Sequence, residues 1–214
     1  PKLIHAHTEL YNVVMTTLVF IVSVKINNSS LYDPYWSIIP IFIVLLWLIE
    51  LKLNNWESGL ILLAVFIWGM RLTLNWFEDF KGFEYEDFRY IDFRNKFKKL
   101  YWIISYLGIH MFPTLIVYVA MYPIYMIYTA TSLQSSFVIL GSIIMILGAV
   151  ISYFADKQLR EHKYNQTGLS IKSGLWKYSR HPNYFGEVTF WGGVFAAGLA
   201  AGFSFASILG IISM

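Results

Sequence analysis

The stretch from Ser136 to Ala155 reads SFVILGSIIMILGAVISYFA, twenty residues without one charge. A run of roughly 20 apolar residues is long enough to cross the hydrocarbon core of a bilayer. Lipid offers the backbone no partners, so such a run folds as a helix. A membrane β-barrel would need short segments that alternate apolar and polar side chains, and this run does not alternate. Working outward, comparable runs predict spans near 9–24, 35–51, 58–77, 101–128, 136–155 and 183–212. The predicted fold class is all-α: a polytopic transmembrane helix bundle of about six spans, one domain over residues 1–214.

Composition agrees. Of 214 residues, 57% are apolar and only 14% charged, against about 25% charged in a soluble domain. Soluble-enzyme, disordered and collagen-like classes are excluded. With no cysteine, disulfides, thiolate catalysis and thiolate-bound metals are excluded as well. The net charge of +3 is read as topology rather than as a nucleic-acid footprint. Thirteen of the sixteen Lys and Arg fall on one side of the six-span arrangement. They are Lys25, six residues in a loop near 78–100 and six in a loop near 156–182. The positive-inside rule puts both loops in the cytoplasm. Charges and aromatics interleave between Phe77 and Asp92, which predicts an ordered, packed loop. Pro113 and Pro123 predict kinks in the fourth span. The start at Pro1 and the end at Met214 lead to the expectation that each end lacks a part, and no signal peptide is recognisable.

Chemistry concentrates in the segment Gly174-Leu175-Trp176-Lys177-Tyr178-Ser179-Arg180-His181-Pro182-Asn183-Tyr184-Phe185-Gly186-Glu187. It is a polar approach followed by a helix start, with Pro182 in the first turn, where a missing N–H costs nothing. The free N–H groups of that turn, beside Arg180 and His181, attract anions. Asn183 and Glu187 stand four apart and share a helix face. Glu187 lies about one turn inside the span, where a carboxylate is expensive and functional by default; the alternative is a snorkelling interfacial glutamate. Arg71 and Asn75 form a second intramembrane polar pair. Arg71 must meet a carboxylate, a carbonyl or a phosphate; Glu187 is a candidate partner, as is a cofactor phosphate. In the loop, Glu86, Asp87, Arg89 and Tyr90 are either a cofactor lid or solvated surface. His5, His7, His110 and His162 show no metal-site pattern, so no metal is expected.

The string Ser179-Arg180-His181-Pro182-Asn183-Tyr184-Phe185-Gly186-Glu187 resembles the C-terminal signature of steroid 5-alpha-reductase-like membrane proteins. Sterol reductases and isoprenylcysteine carboxyl methyltransferases carry variants of it. The segments Tyr32-Asp33-Pro34-Tyr35-Trp36-Ser37, Trp68-Gly69-Met70-Arg71-Leu72-Thr73, Asn75-Trp76 and Glu86-Asp87-Phe88-Arg89-Tyr90 look like the bacterial branch called DUF1295.

The resemblance implies a reductase that takes NADPH from the cytoplasm and a lipophilic enone or alkene from the bilayer, in a bacterial inner membrane rather than the endoplasmic reticulum. By the same resemblance Glu187 is the catalytic acid or an acceptor for the nicotinamide amide. Asn183 and Gly186 also meet the nicotinamide end, and Asp156 and Arg160 the ribose–phosphate end. Arg180, His181 and Tyr184 belong to the same signature, with Arg71 and Asn75 added from the span. Asp156 and Arg160 are also spaced for a plain helical ion pair, and His181 for a structural hydrogen bond.

The sequence departs from the animal steroid reductases at their tyrosine–glutamate acid pair: Trp68 stands where the tyrosine is expected, and no glutamate transfers. Two other classes fit the same scaffold: an S-adenosylmethionine-dependent methyltransferase of a membrane substrate, and a non-catalytic lipid-binding subunit. No nucleic-acid partner is expected, and oligomeric state is not encoded in any motif.

Overall fold

The structure is a computed structural model that describes residues 2–165 and 170–203. It is all-helical, with no strand among the described residues. Among the described residues nine α-helices follow one another: α1 (Lys2–Lys25), α2 (Tyr32–Glu50), α3 (Trp56–Asp79), α4 (Phe88–Phe97), α5 (Tyr101–Ile104), α6 (Phe112–Ala120), α7 (Tyr122–Thr129), α8 (Ser135–Asn165) and α9 (Pro182–Gly198). Five stretches among the described residues are long and apolar enough to cross a membrane: Leu3–Lys25, Ser29–Glu50, Trp56–Asp79, Phe88–Thr129 and Ser135–Asn165.

The expected span 183–212 is described only as far as residue 203, and its helix is shorter than expected. α9 stops at Gly198, and a 3-10 turn follows over Leu199–Ala201. Gly202 then turns in the left-handed region at φ 73°, and the Phe203 N–H returns to the Gly198 carbonyl at 3.0 Å. This six-to-one closure, with a left-handed glycine, is a helix stop. Residues 204–212 of that expectation lie outside the described residues.

The two expected loops are shorter than their polarity suggests. Only 80–87 of the 78–100 stretch precedes renewed helix, because Asp87 accepts a hydrogen bond from the Arg89 N–H at 2.9 Å and caps α4. Residues 156–165 extend α8 beyond the expected span end at 155. Their Lys, Gln, Arg and Glu are good helix formers, and helix continues where hydropathy stops. Pro113 and Pro123 stand in the first turns of α6 and α7, within the single apolar stretch Phe88–Thr129. A π-helical turn, Ser105–Met111, precedes the first of them.

α1, α2, α3, α8 and α9 pack in that order, and α6 and α7 run across α1, α2 and α9 on the other side. Trp47, Ile61, Trp68, Ile124, Met145 and Phe190 fill the shared core. The tightest pair is α8 with α9, because glycines let the backbones meet. A Cβ on Gly148 would stand 2.5 Å from the Phe190 nitrogen and 2.6 Å from the Gly186 carbonyl oxygen. One on Gly193 would stand 2.6 Å from the Met145 nitrogen.

Adjacent glycines test this contact. Gly193→Ala should lower the melting temperature in detergent, by an overpacking cost of about 1–3 kcal/mol. Gly192→Ala, whose Cβ meets nothing within 4 Å, should leave it unchanged or slightly raised. Equal melting temperatures for the two variants would refute close backbone packing.

Candidate functional site

α3 presents Trp68, Arg71, Asn75 and Glu78 at spacings of three, four and three, which keeps them on one face. α8 brings Asp156 and Arg160, and α9 brings Asn183 and Glu187. The side chains interlock as a ladder that runs outward toward the end of the bundle carrying most of the basic residues. Arg71 Nη1 donates to Asp156 Oδ2 at 3.1 Å, and Arg71 Nη2 pairs with Glu187 Oε1. The Trp68 indole N–H donates to Glu187 Oε2 at 2.9 Å. Asn183 Nδ2 donates to Asp156 Oδ1 at 3.1 Å. One turn further out, Arg160 reaches both Asn75 Oδ1 and Glu78 Oε2. Side-chain exposure rises along the ladder, from 6% at Arg71 through 13% at Asp156 and 25% at Glu187 to 56% at Glu78.

Backbone packing positions these groups. Ser152 Oγ donates to the Asn183 carbonyl at 2.8 Å and tucks against Gly186. That contact fixes the start of α9 on α8, where Asn183 meets Asp156 and Glu187 reaches Trp68 and Arg71 of α3. Trp68 is fully buried and stacks on Phe190 with ring centroids 4.7 Å apart, which holds its N–H toward Glu187. The inner cluster sets one guanidinium against two carboxylates. Two of its buried polar atoms have no partner among the described residues: Arg71 Nε, a donor, and Asn183 Oδ1, an acceptor.

The structure therefore gathers Arg71, Asn75, Asp156, Arg160, Asn183 and Glu187 into one site, with Gly186 at its back. Of the partners considered for Arg71, the carboxylate is found, and Asp156 joins it. Asp156 and Arg160 do not form the helical ion pair with each other; each reaches across the bundle instead. Arg180, His181 and Tyr184 lie outside the ladder and are exposed. The His181 ring stacks on Tyr184 at 5.4 Å, and the His181 backbone N–H donates to Ser179 Oγ at 3.2 Å. Ser152 was not singled out from the sequence, and Trp68 was named there only as standing where the tyrosine is expected, with no role of its own. The available signal was their spacing, Trp68 three before Arg71 and Ser152 four before Asp156.

A second polar cluster pins the 80–87 loop to the α1–α2 connection. Asn28 Nδ2 donates to the Phe83 and Tyr85 carbonyls at 2.8 and 2.9 Å. Glu86 accepts from the Ser29 N–H at 2.8 Å and from Arg94. The Tyr90 hydroxyl donates to Asp33 Oδ1 at 2.5 Å, a phenol–carboxylate pair the sequence did not disclose. Partial burial acts to raise the pKa of Asp87, but the Arg89 guanidinium and N–H outweigh it and hold the carboxyl below the usual range. The expected ordered loop is thus present. His110 is a packed, hydrogen-bonded residue, its Nδ1 2.9 Å from the Ser105 carbonyl. No cluster of metal-ligating side chains occurs among the described residues.

A family model described as "Protein of unknown function (DUF1295)" matches residues 19–214. The chain belongs to the DUF1295 family. It is 26% identical over 210 residues to an uncharacterized protein of Schizosaccharomyces pombe, a match covering 85% of this chain and 61% of that relative. This DUF1295 chain thus spans about three fifths of the length of the curated relative it matches. No solved structure matches it.

The charge balance of the inner cluster gives a stability test. Arg71→Met leaves Asp156 and Glu187 facing each other without their cation, and should destabilise by about 3–5 kcal/mol. The triple variant Arg71→Met, Asp156→Asn, Glu187→Gln should regain a substantial part of the melting temperature. A triple variant less stable than the single one would show that the charges do not act as a unit.

Proposed function

We propose that this DUF1295 chain is a membrane-embedded, NADPH-dependent reductase of a lipophilic enone or alkene. The observation that carries the reading is the pair of buried, unpartnered polar atoms at the ladder: Arg71 Nε, which can donate, and Asn183 Oδ1, which can accept. A primary carboxamide offers one acceptor and one donor group, the complement of both, and the nicotinamide end of NADPH carries that group. NADPH, when bound, supplies a hydride. The chain's own residues bind and orient. Asn183 and Glu187 accept amide N–H groups, and Arg71 with Trp68 holds Glu187 in place. Glu187 accepts hydrogen bonds from both of these residues. Of its two expected roles, the geometry therefore supports the acceptor better than the proton donor.

Arg180 is exposed and has no carboxylate partner among the described residues, which suits a phosphate at the water-filled end. Arg160 and Asp156 stand between that end and the carboxamide position, as the ribose–phosphate role requires. In this reading the basic side of the bundle faces the cytoplasm of a bacterial cell and the substrate arrives through the bilayer.

NADPH should raise the melting temperature of the detergent-purified protein and S-adenosylmethionine should not. Asn183→Ala should lose most of that shift. The reverse ranking of the two ligands would favour a methyltransferase, and no response to either would favour a lipid-binding subunit. Sidedness has its own test, clean because the chain has no cysteine. A membrane-impermeant maleimide should label Asn54→Cys in intact cells, and Glu84→Cys only after lysis. The opposite pattern would invert the topology.

A further inference from the structure

Two hollows meet at the basic end of the bundle. One, of about 440 Å³, is polar and lined in part by Asp33, Asp79, Lys81, Asp87 and Lys163. The other is an apolar groove of about 480 Å³ on the outer face of α1, α2 and α3, lined in part by Leu18, Val22, Ile38 and Phe77. Both are walled by Leu31, Trp76, Phe80 and Phe83, so they adjoin across these side chains as the two halves of a cleft. The Trp76 and Phe80 rings lie 4.7 Å apart, and Phe80 and Phe83 5.2 Å; together they make an aromatic wall along the junction. Each half falls in the size range of small-molecule sites, about 300–1,000 Å³.

The polar half carries both signs of charge. Asp87 is held by Arg89 and Asp33 accepts from Tyr90. Lys81 and Lys163 have no carboxylate partner, and exposed Asp79 no cationic one, among the described residues. With Arg89 counted, the lining charges cancel. The apolar half opens to the lipid-facing side of the spans, and the polar half lies at their basic end. That profile is the profile of a phospholipid: chain in the hydrocarbon, charged head at the interface.

We propose that this cleft binds a membrane amphiphile with a zwitterionic phosphate–ammonium head. Its chain lies on α1–α3 and its phosphate meets Lys81 and Lys163, with Asp79 toward the ammonium. The proposal stands apart from the reductase reading, and its test contains no NADPH.

Trp76 lines both halves and serves as the reporter. The protein in maltoside micelles is titrated with chain-brominated lysophosphatidylethanolamine, and tryptophan quenching is compared between the native chain and Trp76→Phe, which keeps the aromatic wall. The difference isolates the cleft from the other seven tryptophans. It should saturate at a mole fraction about tenfold lower than for a brominated monoacylglycerol. Lys81→Gln with Lys163→Gln should erase about tenfold of the affinity, and Asp79→Asn a smaller part. Brominated lysophosphatidic acid, lacking the ammonium, should bind more weakly than the zwitterion. Equal binding of the uncharged amphiphile, tighter binding of the anionic one, or quenching that does not depend on Trp76 would each overturn the proposal.

Discussion

A guanidinium two turns inside the membrane-spanning part of α3 sets the terms for the rest of the bundle. An arginine at mid-membrane depth costs about 2.5–3.5 kcal/mol even on lenient scales, and far more if left unpaired. Arg71 has a side chain only 6% exposed, so water is not its remedy. It needs carboxylates, and no acid lies near enough on α3 itself to serve. Asp156 and Glu187 come from two other helices, so α3, α8 and α9 must converge at one level with their registers locked.

The glycines make that convergence possible. Asp156 and Glu187 can both face one cation only if α8 and α9 lie closer than ordinary side chains allow, and Gly148, Gly186 and Gly193 remove the obstacle. Ser152 then ties the first turn of α9 to α8. A site built this way sits on rigid helices, and its polar atoms are held before any ligand arrives. The two unpartnered atoms at Arg71 and Asn183 stand out because their neighbours are so fully paired.

Much of the site was legible before the fold. A charge inside an apolar run is visible without any structure, which is why Arg71 and Glu187 were picked out and why Glu187 was named as a partner for Arg71. Helical spacing placed Asn183 with Glu187 and Asn75 with Arg71. The role of Trp68 escaped because an indole in an apolar run looks like packing, and only its N–H, turned toward Glu187 by the stack on Phe190, makes it part of the site. The Tyr90–Asp33 pair escaped because its members lie on either side of the α3 span and meet only when the 80–87 loop folds back on the α1–α2 connection. The expected lengths of the spans and loops failed where hydropathy and helix propensity part company, as at 156–165, and where glycine stops a helix inside an apolar run, as at Gly202.

Composition and local pattern by themselves determined the membrane setting, the all-helical class and the identity of the costly charges, because those follow from what lipid tolerates along a chain. Only the tertiary structure decided which charges meet. Pairing depends on the rotation and depth of helices distant in sequence, and these are settled by backbone contact at glycines and by the packing of Trp68 and Phe190.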